Sequence, residues 1–202
     1  MEKLIIASKN NGKVCEIKDI LKDLPFEVVS MKDLGYDLDI EETGSTFDEN
    51  AMLKAKALYE HVNTMVLADD SGLEVDFLGG APGIYTARFA GDTSQQEKNA
   101  RIIGLLSGVD KPYRTARFVC SIAFVSKDIS FTVNGSVEGI IAAQPEGGAG
   151  FGYDPIFFMP GYEKTMAELP DSVKNEVSHR ALALHKLRQE LEKLYQNRGA
   201  LR

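Results

Sequence analysis

Val66-Leu67-Ala68-Asp69-Asp70-Ser71-Gly72-Leu73 is the stretch on which the whole chain turns: a short apolar run ending in two acids, a hydroxyl and a glycine. The pattern predicts a buried strand that stops at the sheet edge and delivers adjacent carboxylates into a turn. Side chains on consecutive strand positions point to opposite faces, so Asp69 and Asp70 are expected to serve different contacts. One would hold a metal or a water while the other braces the turn. A strand end closed by an Asx-turn, with no chemistry attached, is the other reading of these residues.

Upstream, Leu4-Ile5-Ile6-Ala7 reads as a strand and Ser8-Lys9-Asn10-Asn11-Gly12-Lys13 as a polar turn. Val14, Ile17, Ile20, Leu21 and Leu24 then follow at helical spacing, with Pro25 closing the helix. A turn that opens a helix presents backbone N–H groups at the positive end of the macrodipole, which suits a phosphate, and Lys13 adds a full charge. The Walker spacing is absent, and an ordinary capped helix start also accounts for the turn. Phe26 to Ser30 reads as the next strand and leads into an acidic connection from Asp37 to Glu42. Thr46 and Glu49 form a capping box for a helix reaching about His61, with Phe47, Ala51 and Leu58 inward. Glu42 therefore sits just ahead of a helix start, placed to lend a metal an oxygen.

Downstream, Leu73, Val75 and Phe77 alternate with Glu74 and Asp76, as in a strand with one exposed face. A long irregular loop runs from Gly79 to Gly91, and Thr93 or Ser94 starts a helix through about Ser107. Two long strands, about Thr115 to Val125 and Ile129 to Ile141, are joined by Ser126-Lys127-Asp128 and predict an antiparallel ribbon. Beside the earlier strand-helix-strand units, that makes the sheet mixed. Gly147-Gly148-Ala149-Gly150-Phe151-Gly152-Tyr153-Asp154-Pro155 is a second organising loop, whose four glycines let the backbone approach a ligand closely. Its aromatics either pack into the core or stack on a planar base. The last segment carries Lys174-Asn175 and Ser178-His179-Arg180 ahead of a helix with an apolar stripe of Ala181, Leu184, Leu187, Leu191 and Leu194. Gln196 to Arg202 read as a frayed tail.

At 202 residues and 44% hydrophobic, the chain is expected to form one globular domain over residues 1–202. No basic-then-apolar leader precedes Lys3 and no apolar run approaches the roughly 20 residues that span a bilayer, so a soluble, cytoplasmic protein without membrane contact is expected. Cys15 and Cys120 are too few for a disulfide framework and read as packed free thiols. The net charge of -7 argues against a nucleic-acid surface, yet a small anion is accommodated if a few cations gather in one place.

Taken together, these segments resemble the inosine triphosphate pyrophosphatase family, which hydrolyses nonstandard purine nucleoside triphosphates. The resemblance covers nearly the whole chain. It rests on Ser8 to Lys13 with Glu16, Glu42-Thr43-Gly44 with Thr46-Phe47 and Glu49-Asn50-Ala51, and Ala68 to Leu73. It continues through Gly83, Ala87-Arg88-Phe89, Gly150 to Pro155, and Lys174 with Ser178-His179-Arg180. What it implies is an elongated mixed α/β fold with flanking helices and two lobes around a central cleft, usually a homodimer, converting a nucleoside triphosphate to monophosphate and pyrophosphate with Mg2+. On this chain the family's proton acceptor falls on Asp70, and its metal positions fall on Glu42 and Asp70. Substrate contacts fall on Ser8, Lys9, Asn10, Asn11, Gly12, Lys13, Ser71 and Lys174 for the triphosphate, and on Phe151, Gly152, Tyr153, Asp154, His179 and Arg180 for the base. In Gln144-Pro145-Glu146-Gly147 the chain departs from the pattern, with Glu146 where many relatives carry Arg.

Mg2+ prefers hard oxygens and keeps several waters, which suits one or two carboxylates. An Asp beside it orients or deprotonates the attacking water. Two other readings remain open on the residues alone: a nucleotide sensor that does no chemistry, and a phosphomonoesterase using Asp69 or Asp70 as covalent nucleophile.

Overall fold

Strict alternation along three apolar runs builds the first half of the molecule. The computed structural model describes residues 2–199, with side chains described through residue 196. Strand β1 (Glu2–Ile6) pairs in parallel with β2 (Phe26–Ser30) on one side and with β3 (Met65–Val75) on the other. Helices α1 (Asn11–Leu21) and α2 (Phe47–Val62) make the two crossovers that parallel neighbours require. Leu4, Ile6 and Leu67 bury one face of this sheet with Ile17 and Leu21 of α1 and with Leu184, Leu187 and Leu191 of the last helix. Ile5, Ala7, Val66 and Ala68 bury the other face with Ala51, Ala55 and Leu58 of α2. The alternation also fixes the two acids that follow: Asp69 continues the face of Leu67, and Asp70 that of Ala68.

The strand does not stop at these acids. β3 runs unbroken to Val75, so the expected turn is absent and Gly72 lies within extended backbone. β3 is an interior strand, between β1 and β4 (Thr115–Val125), in a seven-stranded sheet of order β2-β1-β3-β4-β5-β6-β7. Ladder pairing on both sides outweighs the turn preference of Asp-Asp-Ser-Gly, whose tertiary setting the local sequence does not carry. Phe77, expected to continue the strand, falls instead in a single 3-10 turn over Asp76–Leu78 and is 56% exposed.

The remaining elements are α3 (Gln95–Leu105), β5 (Ser130–Ile141), the short strands β6 (Phe157–Met159) and β7 (Lys164–Thr165), α4 (Asp171–Val177) and α5 (His179–Gly199). β4 and β5 are sheet neighbours joined by a turn that the Ser126 N–H to Ile129 carbonyl bond closes at 2.9 Å, so they run antiparallel as expected. β6 pairs antiparallel with β5 and β7, and the sheet is mixed. Two- and three-residue strands carry no periodicity, which is why β6 and β7 escape a sequence reading. The expected frayed tail is helical as far as Gly199, and residues 200–202 lie outside the described residues. Cys120 is packed as expected, whereas Cys15 is exposed: it lies two residues before Ile17, on the side of α1 opposite the inward stripe of Ile17 and Leu21.

By contacts the chain divides into two compact units, Met1–Asp70 with Cys120–Gly135 and Arg180–Arg202, and Ser71–Val119 with Ser136–His179. The boundary falls inside β3, β4 and β5. The second unit has its own apolar core, in which Leu73, Val75, Ile102, Phe118, Tyr153, Ile156 and Phe157 meet.

Candidate active site

In the first unit, Asp69 and Asp70 part to opposite faces of β3 and meet different cations. Asp69 is fully buried, and its carboxylate accepts from the Lys13 ammonium, from Arg180 Nε at 2.8 Å and from the Cys120 thiol at 3.1 Å. Arg180 passes the connection on by donating Nη1 to Glu16. Burial alone would raise the Asp69 carboxyl, but Arg180 and Lys13 together outweigh it and hold the group well below the usual carboxylate range. Burial and the neighbouring Asp69 charge push the Cys120 thiol well above its ordinary value, so it stays protonated and acts as a donor. These contacts follow from the alternation: the face that Asp69 continues is the one packed by α1 and α5, which carry Lys13 and Arg180.

Asp70 faces α2. Its Oδ1 accepts from the Lys54 ammonium at 2.7 Å, and the same ammonium reaches Glu42 Oε1 at 2.8 Å. Asp70 Oδ2 is buried with no hydrogen-bond partner among the described residues. Burial raises the Asp70 carboxyl above its ordinary value, with Lys54 opposing. Lys54 is raised as well: burial would lower it, but Asp70 and Glu42 outweigh that and keep the ammonium protonated. No cluster of three or more His, Cys, Asp or Glu stands among the described residues, so Glu42 and Asp70 make a two-carboxylate set. Two hard oxygens aimed at one cation, with a further buried oxygen unsatisfied, fit Mg2+, which takes few protein ligands and keeps its own waters.

The turn at Ser8 to Lys13 opens α1. Asn10 is its N-cap, accepting from the Lys13 amide at 3.3 Å, and Ser8 Oγ in turn accepts from the Asn10 amide at 3.2 Å. Asn11 and Gly12 are the first helical residues, while the exposed Lys9 pairs with Asp37 at 2.7 Å. At the start of α2, Thr46 Oγ1 caps the Glu49 amide as expected. The reciprocal bond of the capping box moves one residue back, since Glu49 accepts from Ser45 N and Oγ.

In the second unit the glycine-rich loop is folded around Asp154. Its Oδ2 accepts the Phe151 amide at 3.0 Å and the buried Lys174 ammonium, from α4, at 2.7 Å. That ammonium also lies 4.8 Å from the centre of the Phe151 ring. Tyr153 packs into the core, its hydroxyl donates to the Thr86 carbonyl at 3.1 Å, and burial pushes it up to about 12. Thr86 Oγ1 accepts from the Leu73 amide at 2.9 Å, and Asn99 of α3 donates to the Gly152 carbonyl at 3.3 Å. His179 stacks on Phe118, centroids 4.7 Å apart and 18° between planes. Ser71 is half-buried on β3.

Gly150 is where this loop most needs a glycine. Its φ is +76°, and an added Cβ would collide with Asp154 Oδ2 and stand 3.2 Å from Lys174 Nζ. Gly150→Ala combines about 1–2 kcal/mol of backbone strain with displacement of that ion pair. The expected result is a corresponding loss of stability, which urea unfolding measures, and unchanged stability would mean that this position does not need a glycine.

Sequence reading missed Lys54, Thr86 and Asn99. Lys54 left a signal: Phe47, Ala51, Lys54, Ala55 and Leu58 share one helical stripe, so a lone cation sits among residues that point inward. Thr86 and Asn99 left none, since their partners are backbone groups far away in sequence.

A family profile described as "Ham1 family" matches residues 4–190. The Bacillus subtilis (strain 168) protein named dITP/XTP pyrophosphatase is 50% identical over 194 residues, 95% of this chain and 98% of its own length. The Desulforamulus reducens protein of the same name is 46% identical over 195 residues, 96% and 97% of the two chains. Among solved structures, the Staphylococcus aureus Ham1 protein has a TM-score of 0.85 at 43% identity, covering 95% of this chain and 99% of that one. A HAM1 protein from Coxiella burnetii gives 0.87 at 38% identity, covering 96% and 100%.

Proposed function

The chain belongs to the Ham1 family, and from that premise we propose that it hydrolyses nonstandard purine nucleoside triphosphates, dITP, XTP and ITP, to the monophosphate and pyrophosphate with Mg2+. The observation that carries this reading is the pair Glu42 and Asp70, converging on a single cation position and leaving Asp70 Oδ2 buried and unsatisfied. The name shared by relatives at 46–50% identity over nearly the whole chain supports the choice of substrate.

Glu42 and Asp70 would hold the metal, which when bound neutralises phosphate charge and lowers the pKa of water. Asp70 takes the proton of the attacking water at the oxygen that no protein donor occupies. A triphosphate carries about four negative charges, so an acidic chain must gather its positive potential locally. The α1 N-terminus and Lys13 do so, Lys13 being held in place by Asp69. Lys174, fixed by Asp154, is the further cation assigned to the phosphates. Discrimination needs donors at the purine 6-position, which we assign to the amides of Gly152 and Tyr153 and to His179; Arg180, expected there from the resemblance, is instead fully buried and committed to Asp69 and Glu16. Such donors pair with a keto oxygen and meet the adenine amino group donor to donor, at a cost of roughly 1–3 kcal/mol.

Incubation with XTP, dITP, ITP, GTP and ATP in Mg2+, followed by identification of the phosphorus product, tests the proposal. Pyrophosphate plus monophosphate from XTP, dITP and ITP, with ATP and GTP turned over far more slowly, is the expected outcome. Inorganic phosphate as the product overturns it in favour of a phosphomonoesterase, and binding without turnover in favour of a sensor.

A further inference from the structure

Lys54 stands where the two metal-assigned carboxylates are aimed. Its ammonium donates to Glu42 Oε1 at 2.8 Å and to Asp70 Oδ1 at 2.7 Å, and its side chain is 13% exposed. It reaches this point from α2, one turn beyond Asn50, whose Oδ1 accepts the Gly44 amide at 2.8 Å. A Cβ on Gly44 would come within 2.7 Å of both Asn50 Oδ1 and Glu49 Cβ, so the segment that follows Glu42 lies flush against α2. One helix face thus fixes that segment through Asn50 and the Glu42 carboxylate through Lys54.

A divalent cation held by Glu42 and Asp70 competes with the ammonium for these two carboxylates. Seating both on the pair would set the ammonium against a second, doubly charged cation in a largely buried place, which like-charge repulsion disfavours. We infer that Lys54 and the divalent cation are alternative occupants of the Glu42–Asp70 pair. The ammonium keeps the two carboxylates together while the cation is away and is driven off them when it binds. Lys54 is therefore a positioning residue that holds the two carboxylates in place and gives way to the cation. This rests on the metal reading above.

Calorimetric titration with Mn2+ alone, without nucleotide, tests the exchange on the wild-type chain, Lys54→Met and Lys54→Arg. Lys54→Met is expected to bind Mn2+ about tenfold more tightly, because no charge-assisted hydrogen bonds have to be broken first. Lys54→Arg, which keeps the competing charge, stays near wild type. Equal or weaker binding by Lys54→Met overturns the inference. On the wild-type chain, mass spectrometry of amine labelling gives a second readout that needs no variant to fold. Labelling of Lys54 is expected to speed up on adding Mn2+, and unchanged or slower labelling overturns the exchange. Neither arm contains nucleotide, so each can fail while pyrophosphate release stands, and failure of that release leaves these results intact.

Discussion

Asp70→Asn is expected to abolish turnover, lowering kcat by about 10³-fold or more, while nucleotide should still bind with an affinity within a few-fold of wild type. The size follows from two losses at one residue: a positioned base contributes roughly 10²–10⁴-fold, and a metal ligand is weakened at the same time. Binding persists because Ser8 to Lys13 and Lys174 are anchored elsewhere, by the α1 cap, Asp69 and Asp154. Folding should persist too. Burial already disfavours the charged form of Asp70, so a neutral isostere removes a desolvation cost while Lys54 keeps Glu42 as its partner. Multiple-turnover pyrophosphate release, isothermal titration with XTP and a thermal melt separate the three quantities. Activity within tenfold of wild type would strip Asp70 of its role as base.

Much of the fold was legible because the signals are local and repeat. Alternation in Leu4 to Ala7 and Val66 to Ala68 gives the sheet faces, and Thr46 and Ser94 mark the starts of α2 and α3. The largest failure came where the neighbours decide. Asp69-Asp70-Ser71-Gly72 has turn composition, and only the strands on both sides of β3 hold it extended. Yet the inference that the two acids separate survives that error, since it depends on backbone alternation and not on where the strand ends. For the same reason part of the candidate site was legible. The residues that resemblance picks out carry the distinctive composition, whereas the groups that hold them, Lys54, Thr86 and Asn99, are ordinary residues made important by distant partners. Tyr153 shows the opposite failing: in a glycine-rich loop it reads equally as stacking platform or core residue, and its placement in the core is set by packing that begins at Leu73 and Ile102.

Asp69→Asn is expected to lower stability by about 3–5 kcal/mol, because it leaves Lys13 and the fully buried Arg180 without their shared counter-charge. Replacing the pair outright would cost less, since the desolvation of the cations would vanish with them; removing only the acid keeps it. Arg180 retains Glu16, so the loss falls hardest on Lys13, whose place beside the α1 N-terminus is set by Asp69. A fall in phosphate affinity should therefore accompany the loss of stability. The pH dependence gives a sharper sign. The folded-state carboxyl of Asp69 lies well below its ordinary value of 3.8, so its stabilisation is fully present above that value and is lost as pH falls through the range below it. Asp70, raised in the folded state, contributes in the opposite direction and becomes less destabilising on acidification. Between about pH 5 and pH 3 the wild-type chain should thus lose more stability than Asp69→Asn, and urea unfolding at the two values measures the difference. Equal acid sensitivity in the two proteins would mean that Asp69 is not the ionised hub joining α1, β3 and α5.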